Sequence, residues 1–169
     1  MAETRRPDRR EQRITGERAT LEAFLDDYRD ILVRKVSGLS DADARRTLVP
    51  SPTTVGGLVK HLRWAEYGWF AQLLPEHSDD NRRAHARYWE FEFLPDESLQ
   101  TLLAEYQSQC GQSRRIAAQY PLDHVVPHRH FGSVSLRWIY LHMIEETARH
   151  TGQIDILREQ LDGTTGFDG

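Results

Sequence analysis

His142, Glu146 and His150 stand at successive intervals of four in a stretch patterned as a helix. Each interval rotates the chain by only about 40° around the helix axis, so neighbouring members share a face and any adjacent pair can grip one ion. One helix supplies two such bonds but does not complete a coordination sphere, so a third ligand must come from a facing element. His61 is the other histidine within a long helical stretch, on an apolar stripe with Leu58, Leu62, Ala65 and Trp69, and is a candidate for that place. Two imidazoles and a carboxylate are a ligand set of catalytic zinc sites, which keep one position for water or substrate. The chemistry such a set supports is Lewis-acid activation of a bound water, or capture of an incoming thiol as its thiolate. Zinc suits these donors first, and nickel or iron is also served by imidazole and carboxylate.

Plainer readings stand beside this one. His61 can be a hydrogen-bonded core histidine, and Glu146 with His150 an ordinary pair one turn apart. A rival cluster, His124, His128 and His130, lies before the last helix, but Pro127 and the lack of a scaffold describe a loop better than a metal cage. Metal-assisted hydrolysis needs a general base near the bound water, and Glu145 is turned about 100° from Glu146. Cys110, the single cysteine, has no partner for an internal disulfide and reads as filler in or near the core.

The elements that must position these groups are helical. From Thr20 to Val36 the residues Leu21, Phe24, Leu25, Tyr28, Ile31 and Leu32 recur every three or four positions, with Gly38 as a stop. Ser40 caps a short helix that ends before Pro50 and Pro52. A second long helix starts near Thr53 or Thr54 and runs to about Leu74, ahead of Pro75. Residues 75–95 are polar yet carry Tyr88, Trp89, Phe91 and Phe93, which reads as a long crossover packed by its rings. A third helix, six or seven turns long, begins at Pro95-Asp96-Glu97-Ser98 and ends before Pro121. The fourth, capped by Ser133 or Ser135, carries Leu136, Ile139, Tyr140, Met143, Ile154, Ile156 and Leu157 to Gly163. Strand signals are almost absent, since Val125-Val126 is short and no hairpin dipeptide separates two alternating runs. The expectation is an all-α four-helix bundle at 15–163, with a long crossover between helices two and three and flexible tails at 1–14 and 164–169.

With 22 basic and 26 acidic residues and a net charge of −4, the chain has no global positive field for phosphate backbones, so no nucleic-acid partner is expected. Arg5, Arg6, Arg9, Arg10 and Arg13 alternate with acids and helix breakers and read as a solvated tail. No apolar run approaches the ~18 residues that cross a bilayer and no signal-peptide core is present, so no membrane partner and a cytoplasmic location are expected.

The segments Thr53-Thr54-Val55-Gly56-Gly57-Leu58-Val59-Lys60-His61-Leu62 and His142-Met143-Ile144-Glu145-Glu146-Thr147-Ala148-Arg149-His150-Thr151-Gly152-Gln153-Ile154-Asp155 resemble the DinB/YfiT-like superfamily, in its mycothiol-transferase-like branch. The resemblance spans about Glu17 to Gly163. It implies a four-helix bundle, often a homodimer, with a divalent metal on His61, Glu146 and His150. Many relatives have histidine where this chain has Glu146, whereas the mycothiol-dependent isomerases of the superfamily use glutamate. The implied activity is S-transfer from a low-molecular-weight thiol such as mycothiol to an electrophilic small molecule, the metal-bound thiolate being the nucleophile. No catalytic residue beyond the metal ligands is implied. The isomerases carry a further C-terminal domain that is not expected here, so their substrate and isomerisation are not carried over. The alternative is a non-enzymatic, metal-stabilised bundle with a stress or regulatory role. Arg149 and Arg158 are candidates for a carboxylate of the cofactor, although Glu145 and Arg149 also have ion-pair spacing. Asp155 is a candidate for orienting a ligand histidine. Trp64 and Trp69 read as core or interface rings.

Overall fold

The computed structural model describes residues 16–76 and 89–165. The expected N-terminal tail, Tyr88 and most of the crossover lie outside these residues, as do the last four positions of the C-terminal tail.

Local chemistry sets where the helices start. Helix α1 (Glu17–Val36) opens with an acid in its first turn and ends where Gly38 takes φ 80°. The Ser40 hydroxyl accepts the Asp43 N–H at 3.0 Å to cap α2 (Asp41–Arg45). Thr54 caps α3 (Val55–Glu66) through the Gly57 N–H at 3.1 Å. Ser98 caps α4 (Leu99–Ala117), and Ser135 caps α5 (Leu136–Asp162), which stops at Gly163 with φ 78°. Each cap satisfies an N–H that a helix start leaves without an internal partner.

Three expectations need correction. The second long helix is not uniform: α3 passes at Tyr67 into a π-helical segment, Tyr67–Leu73. The third is shorter than six turns, its 19 residues making about five. The chain is also not purely helical, because β1 (Val125–His128) pairs antiparallel with β2 (Gly132–Ser135), placing Val126 opposite Val134. Both valines are buried, and Pro127 is tolerated because a two-stranded ladder consists of edges. The turn lacks a hairpin dipeptide. Instead His128 Nδ1 accepts the N–H groups of His130 and Phe131 at 3.2 and 3.3 Å, and Gly132 supplies φ 73°.

Helix α5 packs along α1, and α3 packs against both α4 and α5. Two apolar clusters fill the interior. One holds Leu32, Leu58, Leu62, Leu102, Tyr106, Cys110 and Ile154, and the other Leu25, Phe70, Ala117, Leu136, Ile139 and Met143. Every long helix passes from one cluster to the other at buried polar residues: Arg29 on α1, Glu66 on α3, Ser113 on α4, and Glu146, Thr147 and His150 on α5. Arg29 and Glu66 meet in this layer as a bidentate pair, Nε–Oε1 at 2.7 Å and Nη2–Oε2 at 2.6 Å. Phe24 and Ile156, counted in the apolar stripes of the sequence, are instead 56% and 57% exposed. Cys110 is buried as expected. No helix among the described residues is long and apolar enough to cross a membrane.

Candidate metal centre

The polar layer opens into a site where α3 faces α5. His61, Glu146 and His150 converge there, with a ligand atom of each within 4.8 Å of the others, and they are the one such group among the described residues. His61 Nε2 lies 2.8 Å from Glu146 Oε1, and His150 Nε2 lies 3.2 Å from the same oxygen. Glu146 and His150 are buried, and the side chain of His61 is 15% exposed.

The imidazoles are held differently. His150 Nδ1–H donates to Gln153 Oε1 at 2.7 Å, one turn further along α5. That bond leaves Nε2 directed at the Glu146 carboxylate oxygen. Nε2 and that oxygen stand 3.2 Å apart, where a proton or a metal ion can bridge them, so the donor set fits an ion. The ring of His61 stacks on Phe91 with centroids 4.0 Å apart and planes at 15°, while its Nδ1 is buried with no hydrogen-bond partner among the described residues.

At His61 and Glu146 electrostatics favour the ionisation states that a ligand set requires. Burial lowers the His61 pKa, and the Glu146 hydrogen bond offsets this only in part, so the imidazole is neutral at pH 7. For Glu146, burial opposes ionisation, but the hydrogen bonds from His150 and His61 and the nearby Arg149 outweigh it. Its carboxyl is held far below the ordinary carboxylate range. Two imidazole nitrogens and one anionic oxygen are donors that zinc, nickel and iron accept.

The remaining sequence candidates separate. Arg149 pairs with Glu146 Oε2, not with Glu145, and its Nη2 lies 3.5 Å from His150 Nε2. Its side chain is 53% exposed, so it borders the solvent side of the site. Arg158 lies two turns beyond His150, bonded to Asp162 Oδ2 and to the carbonyls of Lys35 and Ser37. Asp155 faces Lys35 at 3.4 Å, leaving Gln153 as the partner of His150. His142 is stacked on Trp138 and meets Trp69 edge-on, one turn from Glu146. His124, His128 and His130 do not converge, since His124 packs on Tyr120 and His128 stacks on Trp69. Trp64 meets Trp89 and Tyr67 edge-on, and Trp69 packs on Trp138. The sequence reading missed Phe91 and Gln153. Gln153 carried a signal, its i+3 spacing from His150, whereas Phe91 showed only as one of the rings expected to pack the crossover.

Comparison with known proteins adds what geometry does not. No curated protein matches the chain. Among solved structures it is similar to a conserved protein from Enterococcus faecalis, with a TM-score of 0.63 and 16% identity over 89% of this chain and 99% of that one. At that identity the likeness concerns the fold alone. A family model for mycothiol-S-transferases matches residues 20–163. That match includes both helices that carry the triad and the whole polar layer. The chain therefore belongs to the mycothiol-S-transferase family, within the DinB/YfiT-like proteins.

Proposed function

We propose that this chain is a metal-dependent S-transferase that joins a low-molecular-weight thiol, mycothiol or a close relative, to an electrophilic small molecule. The observation that carries the reading is the meeting of His61 Nε2, His150 Nε2 and Glu146 Oε1 in a half-buried site of a chain from this family. These three residues would hold the ion, zinc first and nickel or iron as alternatives. When bound, a divalent ion supplies Lewis-acid chemistry and favours the thiolate form of a thiol.

The chain's own residues do the rest. Glu146 contributes the negative charge, and Gln153 fixes the tautomer and orientation of His150. Phe91 lies against both imidazoles, at 4.0 Å from His61 and 6.2 Å from His150, and excludes water from that side. Thiol and electrophile then approach from the side bordered by Arg149. Its guanidinium can exchange Glu146 Oε2 for a carboxylate of the thiol, with Arg158 as a more distant candidate. The same reading takes the helices as a four-helix bundle at 15–163 that works as a cytoplasmic homodimer.

Metal analysis of the purified protein together with a thiol-binding titration tests it, wild type against His61→Ala. One equivalent of divalent metal and saturable thiol binding are expected, both lost in the variant. Full-rate thiol transfer by chelator-treated, metal-free protein would reject the proposal.

A further inference from the structure

A ligating imidazole is usually aimed by the hydrogen bond that its second nitrogen makes to a carboxylate or carbonyl. His150 has such a partner in Gln153, and His61 has none, its Nδ1 being buried and unpartnered among the described residues. What lies against His61 is the Phe91 ring, from the 3-10 turn Trp89–Phe91 of the crossover.

The placement of that ring is built into α3. A Cβ on Gly57 would lie 2.0 Å from the Phe91 carbonyl oxygen, and one on Gly56 would lie 2.3 Å from Phe93 Cδ1. No side chain fits at either position. Two consecutive glycines are poor helix formers, so their presence in the first turn of α3 matches a need for close approach of the crossover, the Phe91 backbone at Gly57 and the Phe93 ring at Gly56. Neighbouring side chains fasten the same segment. Buried Lys60 donates to the Glu92 carbonyl at 2.9 Å and pairs with Glu97 Oε1 at 2.7 Å. Arg45 lies over the Phe93 ring at 4.2 Å and donates to the carbonyls of Leu94 and Pro95 at 3.1 and 3.3 Å.

We propose that Phe91 is a positioning residue that aims His61 at the shared Glu146 oxygen, replacing the missing hydrogen bond, and that Gly57 exists to admit its backbone, as Gly56 admits the neighbouring Phe93 ring. The proposal rests on the reading of the triad as a metal site. Gly57, four residues before His61 on α3, thereby acts on the site without touching it.

The test is zinc affinity of the full chain, by competition with a chromophoric chelator, for wild type, Phe91→Leu, Phe91→Tyr and Gly57→Ala. Circular dichroism and melting of the metal-free forms verify folding. Phe91→Leu and Gly57→Ala should bind zinc about tenfold or more weakly, the scale for losing an orienting partner, with Phe91→Tyr within about threefold of wild type. A folded Phe91→Leu that binds zinc like wild type overturns the proposal. A wild type that binds no zinc rejects the underlying metal reading instead. Proton NMR of the metal-free wild type is independent of both, because a stacked Phe91 must shift the His61 ring protons upfield. Unshifted ring protons overturn the positioning role even if the variants do not fold.

Discussion

His150 Nδ1 donates to Gln153 Oε1 at 2.7 Å across one turn of α5, and this single bond decides which imidazole nitrogen faces Glu146. Gln153→Ala should keep its helical content and lose metal affinity by about 10–100-fold, the usual scale for deleting such a partner. Chelator competition measures it. An unchanged affinity would mean that helical packing alone orients the ring.

Metal removal should be visible in stability. Zinc at about 100-fold above its dissociation constant stabilises a folded binder by about 2.7 kcal/mol, which calorimetry reads as a higher melting temperature. His150→Ala should show no such increment and no thiol transfer, because only His61 and Glu146 remain. A wild-type melting temperature indifferent to zinc and to chelator contradicts this expectation.

Arg149→Gln should raise KM for a thiol that carries a carboxylate and leave kcat and metal content near wild type. The guanidinium is half exposed and touches Glu146 Oε2, the oxygen that the imidazoles do not share. Steady-state kinetics with carboxylate-bearing and carboxylate-free thiols separates this effect from a loss of the site.

Arg29 and Glu66 are 4% and 0% exposed in side-chain terms, so neither can lose its partner cheaply. Arg29→Met alone should destabilise by about 3–5 kcal/mol, whereas the Arg29→Met/Glu66→Leu double variant should come closer to wild type. Urea unfolding of the four proteins in the cycle gives the coupling. Additive losses would show that the pair does not act as a unit.

Burial, and then the charge of Glu66, push the Cys110 thiol up to about 12 from 9.0. The thiol therefore keeps its proton in the folded chain at pH values where the unfolded chain gives it up. Stability contributed in this way is complete below pH 9 and declines as pH rises beyond it, so Cys110→Ala should lessen the alkaline decline seen in urea titrations. At pH 8 iodoacetamide should alkylate native Cys110 at least about a hundredfold more slowly than the urea-unfolded chain, since the thiolate is the nucleophile.

The sequence by itself determined the starts of α2 to α5, because capping is local: Ser40, Thr54, Ser98 and Ser135 each act within three residues. It also brought Glu146 and His150 onto one face, since helical spacing fixes that without reference to the rest of the chain. Family resemblance selected His61 as their partner, because spacing alone left His142 eligible. Tertiary structure decided what depends on segments distant along the chain. The β1–β2 pair forms because Val126 and Val134 find a common core and an imidazole, not a turn dipeptide, closes the bend. Arg149 meets Glu146 rather than Glu145, as only the folded site shows which carboxylate has an oxygen to spare. Phe91 reaches His61 across thirty positions because Gly57 leaves room for its backbone and Gly56 for the ring of Phe93 beside it. A pair of glycines in a sequence announces space, and only the folded chain shows what fills it.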